Sequence, residues 1–222
     1  MREHPATYSK GMIDKFRDLL IGELGPSDPA HPHVVLDPFA GVGTIHQLRP
    51  EYATVGVELE PEWAQESPYT YIGDSTDLPG HWGDFFDAVV TSPTYGNRMA
   101  DHHDAKDGSK RHTYRHTLGR PLTKGNTGGM QWGDEYKNVH MRVWREVARV
   151  LRPGGVFILN VSDHIRKGEV VQVAEWHRSV ICVMGFTLVS TIQMPTPRQR
   201  HGANGHLRVD HEVIYTFRRN RQ

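Results

Sequence analysis

Short apolar runs bounded by turn residues recur along the chain and predict β-strands. The first covers residues 34–36 and ends at Asp37-Pro38. Its continuous apolar character is typical of a strand buried on both faces of a parallel sheet. Further strands are predicted at residues 53–59, 70–73, 88–92, 156–161, 186–194 and 211–217.

Apolar residues at helical spacing predict the helices that accompany these strands. The clearest helix covers residues 134–152, with one apolar face, acidic residues at its start and arginines at its end. Residues 9–23 predict an amphipathic helix before the first strand, and residues 44–48 allow only a short one. Residues 169–184 repeat the helical pattern. Strands mixed with helices in this way indicate an α/β protein.

A glycine turn follows the first predicted strand. Gly41 and Gly43 lack a Cβ, so the backbone there can approach a ligand closely. Open α/β sheets bind nucleotide-like ligands at such turns, where a strand ends and a helix begins. His46 stands where a dinucleotide-binding fingerprint has its third glycine, which disfavours an NAD-dependent enzyme. By itself, the turn is equally compatible with a plain strand-to-helix connection.

Polar residues also follow the next three strands. Glu58 lies near the end of the second strand, Asp74-Ser75 follows the third, and residues 92–95 follow the fourth. Because parallel strands present their carboxyl ends at one edge of a sheet, we expect these groups to converge there. Glu58 is placed to accept hydrogen bonds from ribose hydroxyls. The alternatives are an ordinary surface glutamate and a simple strand-ending turn.

Composition places the chain among single-domain proteins of a reducing compartment. Its 222 residues suit one domain spanning residues 1–222. The single cysteine, Cys182, excludes an internal disulfide, and its helical apolar surroundings predict a core position. No signal-peptide pattern and no apolar run approaching 18 residues occurs. We therefore expect a soluble, cytoplasmic protein that does not bind a membrane.

Positive charge is concentrated in two predicted loops, although 26 lysines and arginines balance 26 acidic residues overall. Residues 97–133 lack strong periodicity, and their stretch 108–133 contains five cations, two aromatic residues and no acid. Residues 195–209 form a second basic loop without an acid. Cations neutralise phosphate while rings stack on bases, so this mixture favours a nucleic-acid partner. A solvated mobile loop is the alternative.

The paired histidines in residues 101–104 do not indicate a metal site. The sequence there is Asp-His-His-Asp, which lacks the spaced ligands of a structural zinc site. We predict no metal.

Several motifs together resemble the S-adenosylmethionine-dependent amino-methyltransferases of nucleic acid, especially bacterial and phage DNA N4-cytosine and N6-adenine methyltransferases. The resemblance covers nearly the whole chain. DPFAGVGT (37–44) is similar to the family's cofactor loop, VELE (57–60) to its ribose-binding segment, and GDSTDLP (73–79) to its adenine-contacting segment. TSPTYGNR (91–98) resembles the catalytic turn, and HPATYSKG (4–11) the methionine-contacting segment. Similarity continues in LRPGGVFILNVSDHIRKGE and HEVIYTFRR.

The resemblance implies a fold, a cofactor and a cofactor site. The implied fold is a Rossmann-like class I methyltransferase, with a seven-stranded mostly parallel sheet, helices on both faces and a final antiparallel strand. The implied cofactor is S-adenosyl-L-methionine. The residues implied to bind it are Tyr8, Asp37, Pro38, Phe39, Gly41, Gly43, Thr44, Glu58, Leu59, Asp74 and Ser75.

The resemblance also implies how a base is methylated. Ser92 and the Pro93 carbonyl would accept the N–H groups of an exocyclic amine, and Tyr95 would stack on a base that is flipped out or already unpaired. The chain has no room for a separate recognition domain, so we expect the basic loops at about residues 97–133 and 195–209 to recognise the target sequence. Candidate substrate-binding residues are Arg98, Lys110, Arg111, Arg115, Trp132, Arg198 and Arg200.

The predicted function is methylation of a DNA base, and serine at position 92 favours N4 of cytosine over N6 of adenine by family resemblance. One alternative is an RNA base N-methyltransferase, since the same turn serves amines in RNA. Another is a catalytically silent nucleic-acid-binding subunit, because Thr94 replaces the second proline of the family's turn.

Overall fold

A computed structural model describes residues 7–96, 114–196 and 209–221. Within these ranges, the strands are β1 (Val34–Asp37), β2 (Ala53–Glu58), β3 (Thr70–Ile72), β4 (Phe86–Thr91), β5 (Leu151–Val161), β6 (His164–Arg166), β7 (Glu169–Val171), β8 (Phe186–Pro195) and β9 (His211–Arg219). Seven of them form one sheet in the order β3-β2-β1-β4-β5-β9-β8. A separate two-stranded hairpin pairs β6 with β7.

The sheet confirms the predicted class. Strands β3, β2, β1, β4 and β5 pair in parallel, whereas β9 runs antiparallel to both β5 and β8. The chain starts at β1 in the middle, moves outward to β3 and then crosses back to β4 beside β1. This reversal opens a crevice at the carboxyl ends of β1 and β4, which is where open α/β sheets bind ligands.

Helices cover both faces of the sheet. They are α1 (Lys10–Leu24), α2 (Pro61–Ala64), α3 (Tyr114–Leu118), α4 (Asp134–Val150) and α5 (Val173–Val183), with short 3₁₀ helices at Thr44–Leu48, Gly80–Trp82 and Thr127–Gly129. Successive side chains of a strand point to opposite faces. Accordingly, Val35 packs in a cluster with α1, while Leu36 packs in a cluster with α4 and α5.

The predicted helix at residues 169–184 begins later than expected. Glu169–Val171 is strand β7, and α5 starts only at Val173. Lys167 and Gly168 have φ of 52° and 83°, which reverses the chain into a hairpin. Two consecutive valines fit either a strand or a helix, so the periodicity alone did not distinguish the hairpin from the first turn of a helix.

Two smaller differences concern Cys182 and the loop at residues 97–133. The side chain of Cys182 is half-buried at the edge of the core rather than fully enclosed. The described part of the loop, from residue 114, contains α3 and the 3₁₀ helix Thr127–Gly129. Among the described helices, none is long and apolar enough to span a lipid bilayer.

Candidate active site

A cavity of about 810 Å³ lies at the carboxyl edge of the sheet, where the strand-end residues converge. Its volume is within the range of small-molecule and cofactor sites. Twelve of the residues predicted from the sequence line it: Tyr8, Pro38, Phe39, Gly41, Thr44, Glu58, Leu59, Asp74, Ser75, Ser92, Pro93 and Tyr95.

Two predicted cofactor residues, Asp37 and Gly43, lie behind the cavity wall. Asp37 is fully buried and accepts hydrogen bonds from the Tyr8 hydroxyl (3.0 Å), the Thr91 hydroxyl (2.6 Å) and the Phe39 amide (3.0 Å). Burial raises the pKa of Asp37 to about 6, although these hydrogen bonds oppose the shift. Asp37 thus joins the amino-terminal segment to β1 and β4.

In the glycine turn, the His46 side chain packs closely against Gly43. Gly43 has φ of 79°, and a Cβ there would lie 2.6 Å from Cδ2 of His46. The His46 ring is fixed in turn by Thr54 (2.8 Å) and Thr70 (2.9 Å). The space that the missing Cβ leaves is therefore filled by the protein itself, whereas Gly41 borders the cavity directly.

Glu58 sits at the end of β2, facing the glycine turn. Its carboxylate accepts hydrogen bonds from the backbone amides of Gly41 (3.0 Å) and Glu60 (2.8 Å). Desolvation nevertheless raises its pKa to about 7. Hydroxyl groups of a ligand that donate to this carboxylate would favour its ionised form. Glu58 could therefore accept ribose hydroxyls, and such binding would be coupled to proton release.

We expect Glu58→Gln to weaken S-adenosylmethionine binding by about 1 to 3 kcal/mol, the cost of losing a charged acceptor. In the wild type, binding should tighten as pH rises through about 7, because the protonated carboxyl must first lose its proton. In Glu58→Gln, the change in cofactor affinity near pH 7 should be absent. Isothermal calorimetry across this pH range measures both effects. Equal affinities and parallel pH curves would refute the ribose assignment.

The segment after β3 closes the cavity beside the glycine turn. The Ser75 hydroxyl donates to the Pro38 carbonyl (2.6 Å), which ties the two strand ends together. Asp74 accepts from the Thr76 amide (2.8 Å) and lines the cavity. Asp74 and Ser75 therefore line the same cavity as Glu58.

Four polar side chains meet where β4 ends. The hydroxyls of Ser92 and Tyr95 are 3.1 Å apart and share a hydrogen bond. The side-chain amide nitrogen of Asn160 donates to Ser92 Oγ (3.2 Å) and to the Glu212 carboxylate (2.9 Å). All four line the cavity. One hydroxyl oxygen of the turn is thus oriented by an amide before any ligand arrives.

Hydrogen bonds restrain Thr94, which stands where the resembled family has proline. Its carbonyl accepts from the Tyr136 hydroxyl (2.6 Å), and its own hydroxyl donates to Thr127 (2.9 Å). His177 Nε2 is 2.9 Å from the same Tyr136 hydroxyl. Because the Trp144 indole can only donate to His177 Nδ1 (3.1 Å), the imidazole proton lies on Nε2 and points to Tyr136. Burial lowers the pKa of His177 well below its ordinary range, so the ring is neutral.

A buried glutamate fastens part of the first basic loop over the cavity. Glu60 is fully buried and accepts from Arg120 (2.7 Å), from the Thr123 amide and hydroxyl (2.8 and 2.9 Å) and from the Asn126 side chain (2.8 Å). Glu62 also pairs with Arg120, at 2.5 Å. Arg120 is therefore neutralised by two carboxylates, which the acid-free local sequence did not indicate.

Among the predicted substrate-binding residues, Trp132 is the one whose side chain belongs to the described part of the structure. Trp132 does not line the cavity, since its ring packs edge-on to Trp176 and at a tilt to Tyr136. Arg115 belongs to α3, and its side chain is not among the described ones. The other predicted residues lie outside the described part of the chain: Arg98, Lys110, Arg111, Arg198 and Arg200.

Sequence reasoning missed three acceptor or donor groups of the site: Asn160, Glu212 and Glu60. Asn160 lies at the end of β5, so the same strand-end argument applied to the fifth strand would have found it. Glu212 lies at the start of β9, whose antiparallel direction brings its amino end to the same edge. Glu60 gave no signal, because its partners are 60 or more residues away along the chain.

No group of three or more histidine, cysteine, aspartate or glutamate side chains suited to a metal ion occurs within the described ranges. The Asp-His-His-Asp stretch at residues 101–104 is outside those ranges.

The fold is that of class I methyltransferases. The 1,6-didemethyltoxoflavin-N1-methyltransferase of Burkholderia thailandensis, solved with S-adenosylhomocysteine, aligns with a TM-score of 0.51 at 18% identity, over 94% of this chain and 78% of that one. The N-methyltransferase NodS of Bradyrhizobium japonicum, also with S-adenosylhomocysteine, gives 0.52 at 12% identity, over 96% and 89%. The [4+2]-cyclase SpnF gives 0.58 at 14% identity, over 99% and 86%. At these identities the likeness concerns the fold alone.

A family model described as DNA methylase, N6_N4_Mtase, matches residues 86–222. The chain belongs to this family and is an S-adenosylmethionine-dependent methyltransferase. No curated protein matches the chain in sequence.

The residues of the cavity fit this cofactor. Glu58 offers carboxylate oxygens suited to ribose hydroxyls, and the neighbouring Gly41 brings backbone to the cavity wall. Phe39 and Leu59 add apolar surface for a base, while Asp74 adds an acceptor.

Proposed function

We propose that the protein transfers a methyl group from S-adenosylmethionine to the exocyclic amine of a base in DNA, with N4 of cytosine favoured over N6 of adenine. The observation that supports this most is the position of the Ser92-Pro93-Thr94-Tyr95 turn. It borders the same cavity as the predicted ribose acceptor Glu58, so an amine and a methyl donor could meet there.

The chemistry requires acceptors around the amine. The lone pair of an exocyclic amine is delocalised into the base, so the nitrogen is a weak nucleophile until it becomes tetrahedral. In the proposal, Ser92 Oγ and the Pro93 carbonyl accept its two N–H groups and stabilise the positive charge that develops. When bound, the cofactor supplies an electrophilic methyl group on a sulfonium.

The count of hydrogen bonds at Ser92 is compatible with this role. A hydroxyl has one proton and two lone pairs. One lone pair accepts from Asn160, and the proton can go to the Tyr95 hydroxyl. The second lone pair then remains for the target amine. Tyr95 has its hydroxyl held near Ser92, and in the proposal its ring contacts the flipped or unpaired base.

The restraint on Thr94 removes the argument for a silent binding subunit that the missing proline offered. The proline that it replaces would stiffen the turn through its ring. Here the Thr94 carbonyl is held by Tyr136 and the Thr94 hydroxyl by Thr127. The turn is therefore restrained by hydrogen bonds, and the missing ring does not by itself argue for lost activity.

The test is mass spectrometry of nucleosides after incubation with S-adenosylmethionine and, in parallel, random-sequence duplex DNA, random-sequence single-stranded DNA and unmodified tRNA. We expect N4-methyldeoxycytidine from DNA. N6-methyldeoxyadenosine would correct the base, and methylated nucleosides from tRNA alone would establish the RNA alternative. The absence of methylation in every arm, with S-adenosylmethionine binding intact, would favour the silent subunit.

The single domain with basic recognition loops at about residues 97–133 and 195–209 remains part of the proposal. If the first loop grips phosphates, neutralising Lys110 and Arg111 together should reduce the slope of log K against log salt by roughly 2. Fluorescence anisotropy with labelled duplex DNA over a salt series measures it. The matched control neutralises Arg17 and Arg178 together, because both already pair with carboxylates outside the loop and should hardly change the slope. Equal slopes for the Lys110 and Arg111 double variant and the wild type would rule out phosphate contacts by these two loop cations.

A further inference from the structure

We propose that Glu212 takes up the proton that the methylated amine must lose. The inference rests on the proposed function, because it concerns the proton that leaves the amine during the same methyl transfer. The prediction of site residues from the ends of the parallel strands had not identified this carboxylate.

The reaction needs a proton acceptor that the Ser92 turn does not supply. When the amine nitrogen forms its bond to the methyl carbon, the bond from that carbon to sulfur breaks and the nitrogen becomes positively charged. Neutral methylated amine forms only after one N–H proton leaves. The hydroxyls of Ser92 and Tyr95, the Pro93 carbonyl and the Asn160 amide are all weak bases. A carboxylate is a stronger base than any of these groups, and it can accept the proton while the bond to the methyl carbon forms, which lowers the barrier.

Sheet order selects Glu212 among the carboxylates of the cavity. Of the described residues, three acids line it: Glu58, Asp74 and Glu212. Glu58 and Asp74 follow β2 and β3, on one side of β1. Ser92 follows β4, on the other side, where β5 carries Asn160 and β9 carries Glu212. Glu212 is therefore the cavity carboxylate on the same side as the catalytic turn.

One nitrogen connects Glu212 to Ser92. The Asn160 amide nitrogen lies 3.2 Å from Ser92 Oγ and 2.9 Å from the Glu212 carboxylate. Because a carboxylate only accepts hydrogen bonds, Glu212 also fixes which end of the Asn160 amide faces the turn. Asn160 is 3% exposed, so this geometry is enclosed by the protein. Glu212 thus lies within reach of an amine that is bound to Ser92, directly or through one water.

Proton transfer to Glu212 accounts for the proton that the amine loses. As the nitrogen bonds to the methyl carbon, its N–H bond breaks, the electron pair of that bond stays on nitrogen, and the proton forms an O–H bond on Glu212. The products are the neutral methylated base, S-adenosylhomocysteine and the carboxylic acid form of Glu212. The acid returns its proton to water after the base has left.

The experiment compares Glu212→Gln with the wild type in single turnovers on random-sequence duplex DNA, with methyl-labelled S-adenosylmethionine. Glutamine can still accept the hydrogen bond from Asn160 through its amide oxygen, so the geometry is kept while the base is lost. We expect methyl transfer to slow by about a hundredfold, the usual size of a general-base contribution, with unchanged cofactor affinity. In Glu212→Ala, added formate should restore part of the rate, whereas Asn160→Ala should gain nothing from formate.

Transfer by Glu212→Gln within twofold of the wild-type rate would overturn the inference and leave the proposed function standing. Failure of formate to accelerate Glu212→Ala, with cofactor affinity intact, would also overturn it and reduce Glu212 to a support for Asn160. A wild-type protein that methylates none of the tested nucleic acids would overturn the proposed function and this inference together.

Discussion

Glu60→Gln is expected to cost about 3 kcal/mol of folding free energy, because it places an amide NH₂ group among buried donors. In the wild type, both Glu60 oxygens accept two hydrogen bonds each, from Arg120, Thr123 and Asn126. Glutamine has only one acceptor oxygen, so donors would be left unpaired. Urea unfolding measures the total loss, and hydrogen exchange of amides 120–128 shows whether this segment opens first.

Glu62→Gln is the matched control, because it makes the same substitution in the other glutamate that pairs with Arg120. The Glu62 side chain is 28% exposed, and pairs near the surface contribute about 1 kcal/mol or less. Cofactor binding should also separate the two variants, because Asn126 and Thr127 line the cavity. Similar losses in both variants would show that Glu60 contributes no more than Glu62 does and does not fasten the loop.

Ser92→Ala is expected to slow methyl transfer by about a hundredfold, or roughly 3 kcal/mol in the barrier, while cofactor affinity stays the same. The reason is that the hydroxyl would contact the amine nitrogen as charge develops on it, whereas it makes no hydrogen bond to the predicted cofactor residues Glu58 and Asp74. Single-turnover transfer to DNA measures the chemical step, and calorimetry measures cofactor affinity.

Ser75→Ala is the control for Ser92→Ala, because it is the same substitution in the same cavity. The Ser75 hydroxyl donates to the Pro38 carbonyl and shapes the wall beside the glycine turn. We expect its loss to weaken cofactor binding and to leave the rate at saturating cofactor nearly unchanged. If both variants lost affinity and kept their saturated rates, Ser92 would belong to the cofactor site and the catalytic assignment would be wrong.

The parts of the fold that a local pattern specifies were predictable. The seven strands, the amphipathic helix α4 and the glycine turn all follow from apolar periodicity and turn residues, and the structure contains them. The strand-end argument located Glu58, Asp74 and Ser92 on one cavity, because parallel strands share an edge. Neither conclusion required knowledge of contacts between distant segments.

The remaining features depend on such contacts. That Asp37 faces Tyr8 and Thr91 instead of the cavity is decided by the packing of three segments, not by the local sequence. Arg120 seemed free because acids are absent from residues 108–133, yet its partners come from the segment after β2. Hydrophobic periodicity carries no information about a pairing of this kind.

The restraint on Thr94 has a thermal consequence. A proline ring limits backbone motion covalently, so its effect persists at any temperature at which the chain is intact. The restraint here comes from Tyr136 of α4, itself held by His177 of α5, and from Thr127. It lasts only while these helices stay packed on the sheet. Warming that loosens α4 and α5 should therefore release the turn at residues 92–95 at the same temperature, so we expect methylation activity to be lost together with the packing of these helices on the sheet.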